Sequence, residues 1–172
     1  MSLRKILVAV ATLALGACSA TGEVNIVKPK TEAIRPASDV ALHVTAEPGS
    51  ADPQHATEAV ELMRLDLTDK LAAEGLFANV VGENREADYT MKIGLHKVKK
   101  LPFAARYFGG GYGAVNEVQG DVSLIDNTNG LELTQYTAEI KGAPMAWAAE
   151  SRFPGTVKAF DDKVVEGLKS PN

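Results

Sequence analysis

The chain has 172 residues, with 18 Lys plus Arg against 22 Asp plus Glu and a single cysteine. The net charge of −4 disfavours a generic nucleic-acid partner or a polybasic membrane contact, because the field of the whole molecule repels both. One cysteine excludes an internal disulfide, and the length supports one ordinary domain.

Arg4 and Lys5 form a positive start, and Ile6 to Leu15 follows as an apolar run interrupted only by Thr12. That pattern fits the hydrophobic region of a secretory signal and is too short for a transmembrane helix, which needs about 20 apolar residues. The run ends in Leu15, Gly16, Ala17 and Cys18. These four residues resemble the lipobox of bacterial lipoprotein precursors. The resemblance implies cleavage between Ala17 and Cys18, lipid attachment at Cys18, and a triacylated terminus that fixes the protein to a bilayer. The residue after the cysteine is Ser19, not Asp, which in such lipoproteins implies release to the outer membrane, facing the periplasm. Loss of Arg4 and Lys5 with the signal leaves 16 basic against 22 acidic residues, a net charge of −6.

Thr21 to Ser38 contains Pro29, Pro36, several charges and no sustained hydrophobic period. It reads as a flexible tether, with a fully extended reach of at most about 60 Å. Pairing of Val24, Ile26 and Val27 with a sheet edge is the alternative. The expected organisation is therefore a signal peptide over 1–17, a lipidated terminus and tether over 18–38, and a periplasmic domain over 39–172.

Asp39 to Thr45 alternates as a strand, with Val40, Leu42 and Val44 on one side. Asp52 and Pro53 open a helix that runs to about Glu74, because an Asp side chain accepts an orphan backbone N–H and proline suits the first turn. Ala56, Val60, Met63, Leu67 and Leu71 form its apolar stripe, and Gly75 stops it. Leu76 to Val81 reads as a short strand. Tyr89, Met91, Ile93 and Leu95 alternate as a longer one that continues into Lys97 to Lys100. Val115 to Ile125 and Leu131 to Ile140 form two more, joined by a turn ending in Asn129 and Gly130. Pro154 opens a closing helix in which Val157, Phe160, Val164 and Leu168 share a face. The fold class is α+β, one small domain in the order strand, helix, strands, helix. It predicts a mainly antiparallel sheet of about five strands packed against a long helix and a C-terminal helix.

Asp88 and Tyr89 leading a strand, the Gly109 to Gly113 stretch, and Val122 to Asp126 with its turn to Gly130 resemble a family of uncharacterised bacterial lipoproteins. Their small domain has a fold related to the periplasmic domain of the curli-secretion lipoprotein. The resemblance covers about residues 39 to 169 and implies fold, not activity.

His43, His55 and His96 occur singly, without a metal-ligand pair, and no Gly-x-Ser-x-Gly elbow is present. Acidic residues such as Asp121 and Asp126 are a pair to weigh for acid/base work. A strand follows the Gly109 to Gly113 loop, so it lacks the helix that a phosphate-cradling loop needs. No catalytic residue, metal or cofactor is therefore expected. Lys97, Lys99, Lys100, Arg106, Tyr107, Phe108 and Tyr112 form a basic, aromatic segment on an acidic protein. Lysines that blunt a strand edge, with aromatics closing the core, account for it; a docking surface for an envelope partner is the sharper reading. Trp147 reads as a core plug, with the same surface as its other reading. The functional expectation is a membrane-anchored lipoprotein with a non-enzymatic binding or structural role in the envelope. The alternatives are an accessory subunit of an envelope transport or secretion complex, or a ligand binder or enzyme with a pocket between helix and sheet.

Overall fold

The computed structural model describes residues 20–50, 52–102, 115–142 and 152–170. Among these residues, six strands and two helices are arranged as one mixed sheet with both helices on one face: β1 (Thr21–Lys28), β2 (Asp39–Ala46), α1 (Pro53–Ala73), β3 (Asn79–Gly82), β4 (Tyr89–Lys99), β5 (Glu117–Asp126), β6 (Leu131–Lys141) and α2 (Phe153–Lys169). The strand order is β1-β6-β5-β4-β2-β3. The β1–β6, β6–β5 and β5–β4 pairings are antiparallel, whereas β2 is parallel to both β4 and β3. The α+β class is as expected. The strand number is six rather than about five, and the two parallel pairings arise because α1 carries the chain from one end of β2 back to the start of β3.

The elements follow from their side chains. In β2, Val40, Leu42 and Val44 are buried against the helices. Asp52 caps α1 by accepting the Gln54 N–H at 3.0 Å, with Pro53 in the first turn. Ala59, Met63, Leu67 and Leu71 are its buried residues, while Ala56 and Val60 lie on the flank of that stripe, half-buried. Full burial of each of the three large ones is worth about 1.5–3 kcal/mol. Gly75 (φ +64°) ends the helix and Gly130 (φ +73°) closes the β5–β6 hairpin, both in the left-handed region that glycine enters without penalty. The short third strand begins at Asn79, later than the alternation suggests, because Phe77 is a core plug set edge-to-face on Tyr89 with centroids 5.9 Å apart.

In β4, the pairing register slips between Leu95 and Lys97. The bulge at His96 lets Leu95 and Val98 both point inward and keeps Lys97 and Lys99 outside. The two helices run in the same sense. Lys100 bridges to Glu58 near the start of α1 and lies over the Phe153 ring at the start of α2, and Lys169 pairs with Glu74 at the far end.

The stretch read as a flexible tether is ordered over Thr21–Lys28 as an edge strand, a correction to that expectation. Thr21 pairs with Lys141 and Ile26 with Tyr136, after which a bulge at Val27 shifts the register. The segment beyond is strapped down: the Thr31 N–H donates to the Leu133 carbonyl at 2.9 Å, and Lys30 donates to the Leu168 carbonyl at 3.1 Å. Backbone pairing satisfies this strand with Val24 and Lys28 half-buried and the rest exposed, so its sequence needs no hydrophobic period.

Candidate functional site

Two ends of the sheet gather the polar side chains singled out by the sequence. At the first, Thr21 pairs with Lys141, Lys141 with Glu117, and Glu117 with Lys99. This end also holds Thr21, the first residue of β1. Lys97 reaches Glu117 at 2.7 Å. Lys141 reaches Glu139 at 2.7 Å, and that hydrogen bond raises its pKa. Lys100 is held between Glu58 and the face of Phe153. Lys99 is exposed and makes no ion pair among the described residues. The three lysines therefore do not act as one free set of cations: two are neutralised locally, and Lys100 sits on the helix side of the sheet. Ala17, Cys18, Arg106, Tyr107, Phe108, Tyr112, the Gly109 to Gly113 loop and Trp147 lie outside the described residues.

At the opposite end, Arg35 packs on Tyr89, its carbon Cζ 5.0 Å from the ring centroid, and its Nε donates to the Tyr89 hydroxyl at 2.8 Å. The same guanidinium reaches Asp126 at 3.3 Å. Asp126 also accepts the Thr128 N–H at 2.8 Å. That backbone hydrogen bond, aided by Arg35, holds its carboxyl below the usual aspartate range. Arg35 locks the N-terminal strap over the sheet end, although its sequence context reads as free tether.

Asp121 and Asp126 do not form an acid/base pair. Asp121 is exposed, whereas Asp126 is buried on the face turned to the helices, as the odd and even parity of a strand requires. On the outer face Asp121 accepts the Thr137 hydroxyl at 2.6 Å and has the His96 ring nitrogen 3.9 Å away. His43 lies 3.8 Å from Glu83. Among the described residues no group of three His, Cys, Asp or Glu could hold a metal ion, and no helix is long and apolar enough to cross a membrane.

Beside a small groove of about 200 Å³ at Thr21, Glu23, Glu139 and Lys141, the described residues line two larger ones. One, of about 490 Å³, lies between the C-terminal halves of the helices and is lined by Lys70, Glu74, Asp162, Glu166 and Lys169. The other, of about 380 Å³, runs between α1 and β3, with Leu42, Val80 and Val81 as its floor and Arg64 and Arg85 at its rim.

No protein-family model matches the chain, and no curated protein resembles it. Solved structures do. The PelC dodecamer from Paraburkholderia phytofirmans is similar over 88% of this chain and 100% of that one, with 14% identity and a TM-score of 0.60. A single-substitution variant of the same dodecamer gives 16% identity and 0.59 over the same shares. A Xanthomonas campestris protein of the DUF330 family is similar over 81% of this chain and 88% of that one, with 12% identity and a TM-score of 0.50. The chain has the fold of these proteins. At such identities the likeness speaks for architecture alone.

Proposed function

We propose that this chain is a lipoprotein of the bacterial cell envelope. In this reading it is lipidated at Cys18, held in the outer membrane facing the periplasm, and serves there through binding or structure rather than catalysis. The observation that carries the reading is the distance in sequence between the anchor and the sheet. Only Ser19 and Ala20 separate Cys18 from the first residue of β1, and that stretch spans about 10 Å when extended. The domain is then not a body at the end of a long leash. It is held with one sheet end, that of Thr21, Lys141, Glu117 and Lys99, against the bilayer, and a partner must lie in the membrane or approach the remaining faces. Confinement of this kind raises the effective concentration toward any neighbour fixed in the same membrane.

A second reading makes the chain an accessory subunit of an envelope transport or secretion complex. The fold shared with a protein that assembles as a dodecamer favours it, because a small domain whose sheet ends in the edge strands β1 and β3 is suited to repeated side-by-side contacts.

The orientation is testable with single labels. β5 is ten residues long, so its ends stand roughly 30 Å apart. A fluorophore at Lys99→Cys, in the anchored protein on vesicles carrying a lipid-borne quencher, is expected to be quenched several-fold more than one at Thr128→Cys. Equal quenching contradicts the arrangement. In bacteria, Cys18→Ser is expected to move the protein from the membrane to the soluble fraction and to remove its crosslinks to membrane-embedded neighbours.

A further inference from the structure

Asp161 is the most deeply placed charged-type side chain among the described residues. It is fully buried, and neither carboxyl oxygen has a hydrogen-bond donor. It belongs to α2 and meets α1 at the seam between the helices, where Asp66 and Lys70 face it, with Asp162 beside it on its own helix. The strands under α2 bring an apolar inner face in which Tyr136 is the titratable group, kept neutral by burial, and Asp126 lies at the far end of β5, bound to Arg35.

Lys70 looks like the obvious counter-ion, but its ammonium makes no hydrogen bond to Asp161. It donates to the Lys158 carbonyl at 2.9 Å and lies 2.9 Å from Asp66 and 2.6 Å from Asp162 as an ion-pair partner. Oδ2 of Asp66 and both oxygens of Asp161 are left buried without a hydrogen-bond partner. Two facing carboxylates without a shared donor repel each other in a dry seam, and the arrangement becomes favourable only if one keeps its proton and gives it to the other as a hydrogen bond. Asp66 has the ammonium of Lys70 beside it; Asp161, fully buried and without a partner for either oxygen, is the one placed to keep the proton.

We propose that Asp161 is a proton-operated clasp between the helices: it carries its proton in the native state and donates it to Asp66, and loss of that proton to solvent at alkaline pH loosens the α1–α2 seam. The effect reaches the N-terminal strap beyond the far end of β1 through α2, whose Leu168 carbonyl accepts from Lys30. Burial, followed by the charge of Asp66, pushes the Asp161 carboxyl well above the ordinary aspartate range against the opposing pull of Lys70. The sign follows. A carboxyl whose native pKa exceeds its unfolded value favours the native state fully below the unfolded value near 3.8, and this advantage is lost as pH rises through the elevated native value.

The test is Asp161→Asn in the full-length chain in detergent, with urea midpoints followed from about pH 4 to about pH 9. Asparagine keeps the shape of the protonated acid and offers Asp66 an N–H at every pH. The wild type is expected to lose up to tenfold in its native-to-unfolded ratio per pH unit (about 1.4 kcal/mol) within the window between the two values. The variant should lack that slope and exceed the wild type at alkaline pH. Amide exchange in α2 and at Thr31, corrected for base catalysis, should rise with pH in the wild type alone. Parallel curves with the variant lower throughout would make Asp161 an ionised partner of Lys70 and overturn the proposal. Should the variant fail to fold, the carboxyl carbon resonance of Asp161 in the wild type decides: titration above the ordinary aspartate value supports the clasp, and titration at or below it refutes the clasp.

Discussion

Gly167→Ala pits two physical effects against each other with opposite signs. Alanine is favoured over glycine in a helix interior by about 1 kcal/mol, so propensity alone makes this change in α2 stabilising. The packing says otherwise. A β-carbon at Gly167 would stand 2.6 Å from Cζ and 2.8 Å from Cδ2 of Tyr136, with Cε2 closer still. The Tyr136 ring is fully buried and has no room to retreat, and its hydroxyl donates to the Val164 carbonyl at 2.6 Å. Overpacking a filled core costs about 1–3 kcal/mol, and tearing a buried hydroxyl from its acceptor costs about 1–3 kcal/mol more. After the propensity gain, the expected net loss is about 1–5 kcal/mol. Urea unfolding of wild type and variant measures it. A double-mutant cycle with Tyr136→Phe should recover the hydroxyl share of the loss, since the two residues touch. A Gly167→Ala protein that gains about 1 kcal/mol would show that Tyr136 does not occupy the space described and would refute the packing of α2 on β6.

Asp126 gives a pH dependence opposite in sign to that of Asp161. Its carboxyl is held below the ordinary value by the Thr128 N–H and by Arg35, so its contribution is present above the unfolded value and is lost as pH falls through the depressed native one. Acid unfolding of Asp126→Asn should therefore show a shallower slope than the wild type, with the difference confined to the acid side. Asp52→Ala removes the acceptor for the Gln54 N–H and should cost about 1 kcal/mol in a urea melt; no change would mean that α1 starts elsewhere.

The elements with strong periodicity are legible in the amino-acid sequence alone. β2, β4, β5, β6 and both helices begin and end within about two residues of where alternation, capping residues and glycines place them. β1 is not legible in this way, for a physical reason: an edge strand held through its backbone exposes Ile26 and Val27 and leaves no buried face to read. The Arg35–Tyr89 contact joins residues 54 positions apart, and neither partner carries a mark of it. Asp161 does leave a signal. It stands four residues after Val157 and three and four before Val164 and Val165, so a charged-type residue lies on the apolar face of the closing helix, where only a neutral or paired one is stable. The basic segment is legible as composition but not as chemistry, because Lys97 and Lys100 find Glu117 and Glu58 from other elements.

The central claim, a domain fixed to the membrane within a few residues of its first strand, stands or falls on the mature amino terminus. Intact-mass and terminal-peptide mass spectrometry of the protein purified from bacterial membranes measures it directly. The expected result is a chain beginning at Cys18 with a diacylglyceryl group on the sulfur and an acyl group on the amine, replaced by an uncleaved precursor when the lipoprotein signal peptidase is inhibited. A chain that begins at Met1, or a mature Cys18 with a free thiol and amine, would contradict the account.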